Sequence, residues 1–162
     1  MGKSIALSCA LAAVIFIAGC SSRQWTEEQR KDFRTTCSQK ESIGSLQVIF
    51  RGFDDKAFSS VEVKEYDNAK LIGTFRLQIP SSQDPRDREY KIIRATIDRN
   101  MSLKHAYEFI VPGQRPFRLS NMTMIMWPQY TMRSEGWGCV MGDYTIDGKR
   151  FEKSQSPEFV KR

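Results

Sequence analysis

Apolar and polar residues alternate with a period of two over most of the chain from position 45 onwards. The apolar members of these runs are Leu46/Val48/Phe50, Val61/Val63, Leu71/Gly73/Phe75/Leu77/Ile79, Ile93/Ala95/Ile97, Tyr107/Phe109/Val111 and Phe117/Leu119. This period is typical of strands that bury one face. Asp147-Gly148 supplies the turn of a further hairpin over residues 144–151. Seven to eight short strands predict a mainly β fold, an antiparallel β-sandwich of Ig-like or transthyretin-like type, with a small barrel as the alternative.

One helix is predicted in front of the strands, over residues 27–40. Thr26 and Gln29 form a capping box, in which each side chain reaches the backbone N–H of the other residue. Phe33 and Cys37 are four residues apart and therefore share one face of this helix. Trp25, just before the cap, is expected to pack as an anchor or to enter a membrane interface.

The chain has room for one domain. We predict a signal peptide over residues 1–19, a lipidated cysteine and short tether over 20–25, and one sandwich domain with its leading helix over 26–153. The polar tail over 154–162 is expected to fray.

Residues 127–138 read as a loop that is rich in aromatic side chains. Trp, Tyr and Arg are common anchors of protein interfaces, and loops carry function more often than strands. The alternatives are that both Trp side chains fold inward over the end of the sandwich, or that the loop stacks sugars. The candidate partner-binding residues are Trp127, Tyr130, Arg133 and Trp137.

Met122, Met124 and Met126 recur at every second position, so a strand would place them on one face. Thioethers are flexible apolar groups that fill cores and partner surfaces. They also suit Cu(I), which makes these residues weak candidates for a metal site. No other metal and no soluble cofactor is predicted.

The first twenty residues have the pattern of an export leader. Lys3 precedes an apolar run from Ile5 to Ala18 that is too short to span a bilayer, and Ile17-Ala18-Gly19 precedes Cys20. This stretch resembles the lipobox of bacterial lipoproteins. The resemblance covers residues 1–20 only, and no family resembles the remainder. A buried N-terminal helix or an uncleaved membrane anchor are the alternatives.

The lipobox resemblance implies cleavage by signal peptidase II and a diacylglycerol and N-acyl lipid (palmitate) on Cys20. Ser21 follows the cysteine. By resemblance to enterobacterial lipoproteins, serine there implies transfer to the outer membrane, with the protein facing the periplasm.

Cys37 and Cys139 remain after Cys9 leaves with the leader and Cys20 takes the lipid. In an oxidising compartment such a pair most simply forms one disulfide. Closing a loop of about 100 residues stabilises a fold by about 4.7 kcal/mol in the chain-entropy treatment. A metal pair or a reactive thiol is the alternative, although neither has a supporting His or a nearby second Cys.

Catalytic motifs are absent from the sequence. It contains one histidine, His105, and no Gly-x-Ser-x-Gly, His-Glu-x-x-His, Cys-x-x-Cys or phosphate-binding glycine loop. His105 lies on a predicted strand, on the face of Tyr107 and Phe109, where a structural role is expected. A triad assembled in space is the alternative. Asp54-Asp55 suits a turn better than paired carboxylate chemistry.

The chain carries 25 basic and 19 acidic residues in a scattered arrangement. No basic run suits nucleic acid. The mild positive charge is typical of a solubilising surface, and attraction of anionic lipid, lipopolysaccharide or an acidic protein is the alternative. The prediction is a non-enzymatic envelope lipoprotein that binds or assembles with another envelope protein. The alternative is an inhibitor or a module for a small ligand, including Cu(I).

Overall fold

The computed structural model describes residues 24–54, 57–80, 84–131, 134–152 and 156–162. The fold of these residues is mainly β, with one helix at the N-terminal end, as predicted. The helices are α1 (Glu27–Ser38) and the short α2 (Pro85–Glu89). The strands are β1 (Ser42–Ile43), β2 (Leu46–Arg51), β3 (Ser60–Asp67), β4 (Lys70–Gln78), β5 (Ile92–Ile97), β6 (Met101–Ser102), β7 (Ala106–Ile110), β8 (Phe117–Ser120), β9 (Met124–Thr131), β10 (Ser134–Met141), β11 (Tyr144–Ile146), β12 (Lys149–Phe151) and β13 (Glu158–Val160).

The strands form four open sheets. Six strands pair in the order β12-β11-β8-β7-β3-β4, and three pair in the order β13-β2-β5. Two-stranded sheets join β1 to β6 and β9 to β10. The first and last strands of the six-stranded order do not pair, so the described strands do not close into the small barrel that was the alternative.

Thirteen strands in the described residues exceed the predicted seven to eight. The additional strands are short, or lie in segments interpreted as loop or tail. None of the helices in the described part of the chain is long and apolar enough to span a membrane.

An aromatic cluster centred on Phe159 links the two larger sheets. The ring centroid of Phe159 lies 4.5 Å from that of Phe109 and 5.3 Å from that of Phe117, both on the six-stranded sheet. It also lies 5.3 Å from the ring of Phe50 on β2. These rings carry large apolar areas, so their burial stabilises the contact between the sheets.

The predicted frayed tail is therefore wrong for residues 158–160. Strand β13 pairs in parallel with β2, and Phe159 is 0% exposed. Two backbone hydrogen bonds flank the strand: the Ile49 N–H donates to the Pro157 carbonyl, and the Lys161 N–H donates to the Arg51 carbonyl. A three-residue strand has too little alternation to be detected, and its stability comes from distant contacts.

Strand β4 differs from its predicted pattern at Leu71. A register shift in the β3–β4 pairing falls between Glu65 and Tyr66. The shift places Leu71 opposite Tyr66, and Leu71 is 50% exposed instead of joining Leu77 in the core. A bulge of this kind moves every side chain beyond it to the other face.

We expect Phe159→Ala to lower the free energy of unfolding by about 3–5 kcal/mol, because it leaves a cavity among three aromatic rings. Val160→Ala is the matched control; Val160 is exposed on the same strand, and its truncation should change stability by less than about 0.5 kcal/mol. Urea denaturation measures both. Equal midpoints for the two variants would mean that β13 does not complete the core.

Candidate functional site

Helix α1 begins where its sequence provides a cap. The Gln29 N–H donates to Thr26 Oγ1 at 3.2 Å, and the Thr26 N–H donates to Gln29 Oε1 at 2.9 Å. These two bonds are the predicted capping box and satisfy amide groups that the helix leaves free. Trp25 packs edge-on against Phe33, with ring centroids 5.3 Å apart. The start of the helix is therefore held by both polar and apolar contacts.

A disulfide joins Cys37 on α1 to Cys139 on β10, so the predicted pairing is confirmed. The two Cα atoms are 5.3 Å apart and 102 residues apart along the chain. Cys37 is fully buried. The bond attaches the last turn of the helix to the β9–β10 hairpin. We call α1 and β9–β10 together the helix–hairpin unit.

The segment predicted as an aromatic loop is instead most of this hairpin. Residues 124–131 pair with 134–141 in an unbroken antiparallel register. Pro128, Gly136 and Gly138 are unfavourable in strands, which made the segment look like a loop. The glycines have a packing role, because a Cβ at Gly138 would lie 2.2 Å from Gln129 Nε2. A Cβ at Gly136 would lie 2.9 Å from the Gln129 carbonyl oxygen, and the Gln129 side chain occupies the space beside Gly138.

The register separates the predicted aromatic anchors. Trp127 pairs with Gly138 and Trp137 pairs with Pro128, so the two indoles point to opposite faces. Trp127 is 38% exposed. Trp137 faces the helix, where the Arg30 guanidinium carbon lies 5.7 Å from its ring centroid. The side chain of Tyr130, together with Arg133 and Cys20, lies outside the described residues.

A groove of about 520 Å³ runs between α1 and β9. Arg34 and Ser38 line it from the helix, and its other walls are apolar. Those walls come from the methionines and isoleucine of β9 together with Trp127, Pro128 and Trp137. Trp137 Nε1 is buried without a hydrogen-bond partner among the described residues. The groove therefore combines an apolar surface with one cation.

The methionines lie in the core or along this groove, and Met124 belongs to both. Met122 and Met124 are each 5% exposed and belong to the hydrophobic core, together with Met141. Met126 is partly exposed and lines the groove. Among the described residues, no group of three or more His, Cys, Asp or Glu side chains could hold a metal ion. The Cu(I) site remains a prediction.

His105 belongs to a separate polar cluster at one end of the six-stranded sheet. It lies just before β7, and its Nδ1 is 2.7 Å from Glu65 Oε1. The Tyr107 hydroxyl donates to the same oxygen at 2.9 Å. Arg99 lies 4.0 Å from the other carboxylate oxygen. Glu65 is only 14% exposed, so these contacts replace most of its hydration.

Two pKa values in this cluster are shifted. Burial raises the pKa of Glu65, but the hydrogen bonds from His105 and Tyr107 and the charges of His105 and Arg99 outweigh it. The pKa of Glu65 is therefore lower than its ordinary value. Burial and the bond to Glu65 raise the pKa of Tyr107. A carboxylate that orients a histidine can assist proton transfer, but the contacts found here connect neighbouring strands.

Comparisons with known proteins give no relative: no family model matches this chain, and no curated protein or solved structure is significantly similar to it.

Three features of these sites were missed in the sequence, and two of them carried a signal. Glu65 lies two positions after Val63 and four after Val61, on the same inward face of β3. An acidic residue at such a position indicates a buried polar contact. Pro128 in an apolar run signals an edge strand, because proline is tolerated in strands mainly at sheet edges. Arg34 carried no signal, because its place beside β9 depends on the disulfide.

Replacing both cysteines, Cys37→Ala with Cys139→Ala, should lower the free energy of unfolding by about 2–5 kcal/mol. Amide hydrogen exchange should accelerate most in the helix–hairpin unit, because the bond attaches α1 to it. Exchange rates in β2 and β7 serve as the internal control. A uniform acceleration throughout the chain would contradict a separate unit.

The lowered pKa of Glu65 predicts how stability changes with pH. A carboxyl with a lower pKa in the folded state adds stability above its ordinary value of 4.5. That stability is lost as the pH falls through the folded-state value. The unfolding free energy of the unsubstituted protein should therefore fall more steeply below pH 4.5 than that of Glu65→Gln. Tyr107→Phe, which removes one hydrogen bond to Glu65, should give an intermediate slope. Denaturation series at successive pH values measure this, and identical slopes would contradict it.

Proposed function

We propose that this chain is a lipid-anchored envelope lipoprotein that binds or braces another envelope protein and is not an enzyme. The leader and its lipobox-like Cys20 support export and anchoring at the outer membrane, facing the periplasm. The Cys37–Cys139 disulfide suits an oxidising compartment of this kind. No cofactor is proposed besides the lipid on Cys20, and no nucleic-acid partner.

The observation that carries the binding proposal is the disulfide-locked helix–hairpin unit. The bond fixes α1 against the hairpin, and Trp127 is exposed beside the groove between them. A rigid surface with an exposed indole suits protein binding, because little conformational freedom is lost when a partner docks.

The proposed anchor places this unit close to the membrane. Three residues lie between Cys20 and Gln24, and the four steps from Cys20 to Gln24 span at most about 14 Å when fully extended. The helix–hairpin unit would then face components at or near the inner leaflet of the outer membrane.

At the finer level of fold, we propose a β-sandwich of Ig-like or transthyretin-like type. The aromatic contacts of Phe159 with both larger sheets support two facing layers. Antiparallel sheets packed over one core are the usual form of such domains.

A small-ligand or inhibitor module is the second candidate. The groove has a volume of about 520 Å³, and ligand pockets are of about 300–1,000 Å³. For Cu(I), the buried positions of Met122 and Met124 favour a packing role over metal binding.

The test is a pull-down of the tagged full-length protein from gently solubilised envelopes, after palmitate labelling has established lipid on Cys20. We expect a stoichiometric protein partner, and we expect Trp127→Ala to reduce its capture by at least about tenfold, the loss typical of a buried anchor residue.

Tyr90→Ala is the matched control, since Tyr90 is exposed outside the helix–hairpin unit and its truncation should leave capture unchanged. Absence of palmitate, with no change on Cys20→Ala, would refute the anchoring. A lipidated protein that captures no partner would refute the binding function and favour the small-ligand candidate.

A further inference from the structure

Strand β9 has one free edge. In the described residues it pairs with β10 on one side, and no backbone hydrogen bond from another segment reaches its other side. Pro128, which has no N–H, pairs with Trp137 across the ladder. A proline fits a strand where the N–H would point away from the neighbouring strand.

This position of Pro128 determines which backbone groups face outward. Directions alternate along an antiparallel strand, so residues two and four positions away share the orientation of Pro128. The N–H and C=O groups of Met124 and Met126 therefore point towards the free edge. Together with the Pro128 carbonyl, they give the edge two donors and three acceptors.

The free edge lies along the groove that α1 borders. Arg34 and Ser38 stand on the helix side, with Met126, Trp127 and Trp137 on the hairpin side. The groove is therefore bounded by a helix and by a strand with unpaired backbone groups. This is the combination by which some domains bind an extended peptide as an additional strand.

The charge in the groove indicates which peptide would fit. Arg34 is exposed and forms no ion pair with any described residue. The neighbouring Arg30 differs, because it contacts Glu27 at 3.7 Å and lies over Trp137. A carboxylate in the bound segment would complement Arg34, and a guanidinium pairs readily with such a group.

We propose that the groove between α1 and β9 binds an extended segment of a partner protein as a strand added to β9, with an acidic side chain facing Arg34. The proposal rests on the proposed binding function and names its site and the chemistry of its partner. The segment is short, because Pro128 offers no donor and interrupts the ladder beyond Met126. Side chains on one face of the segment contact Met124 and Met126, and those on the other face contact Trp127.

The test uses a random peptide library displayed on phage and selected on the immobilised full-length protein. We expect selected peptides to combine alternating apolar residues with Asp or Glu. The best peptide is then synthesised with a fluorophore, and its affinity is measured by fluorescence polarisation, with a scrambled peptide as control.

Two matched pairs of variants test the two contacts. Met126→Pro removes the outward N–H, and we expect at least tenfold weaker binding, whereas Met126→Leu keeps the N–H and should bind normally. Arg34→Glu should weaken binding about tenfold or more, and Arg34→Lys should retain most of it. Because Met126→Pro could unfold the hairpin, hydrogen exchange on the unsubstituted protein gives a second measurement. The amides of Met124 and Met126 should become protected when the peptide binds.

Several outcomes would overturn the proposal. They are a library without enriched peptides, a selected peptide insensitive to Arg34→Glu, and amides of Met124 and Met126 that stay unprotected. Concentration-dependent self-association abolished by Arg34→Glu would show that a second copy occupies the groove instead. An envelope partner whose capture depends on Trp127 but not on Arg34 would overturn only this inference and would leave the proposed binding function standing.

Discussion

The disulfide between Cys37 and Cys139 is the constraint on which the helix–hairpin unit depends. A helix as short as α1 is marginal alone, and so is a two-stranded sheet that pairs with nothing else. Among the described residues, β9 and β10 pair only with each other. Their attachment to α1 comes from side-chain packing and this one covalent bond. The bond and this packing hold two weak elements side by side, and the groove lies between them.

Much of the fold could be predicted, because its core follows local rules. Residues at alternating positions such as Val48, Val63 and Phe109 are buried as their period requires. The capping box at Thr26 and the turn at Asp147-Gly148 depend only on neighbouring residues, and both are present. The disulfide could be predicted because the proposed leader chemistry accounts for the other two cysteines.

The parts of the fold and of the candidate site that could not be predicted depend on contacts between residues distant in the sequence. Nothing near Phe159 in the sequence distinguishes it from a residue of a solvated tail, because the rings that surround it lie far away along the chain. In the candidate site, Trp127 was predicted as a partner-binding residue. Its separation from Trp137 follows from the β9–β10 register. That register was not predicted, because Pro128, Gly136 and Gly138 made the segment resemble a loop. Arg34 enters the site only through tertiary packing, which no local pattern encodes.

The position of β13 also has a consequence for the order of events during biosynthesis. Phe159 fills the centre of the aromatic cluster, so a nascent chain that lacks residues 158–160 has an incomplete core. Contacts between residues this far apart slow folding, because loop closure must precede them. Such a chain completes its core only after residues 158–160 have been synthesised. An incompletely folded chain is the form that can be threaded across a membrane, so a core completed by this strand would suit the export proposed above.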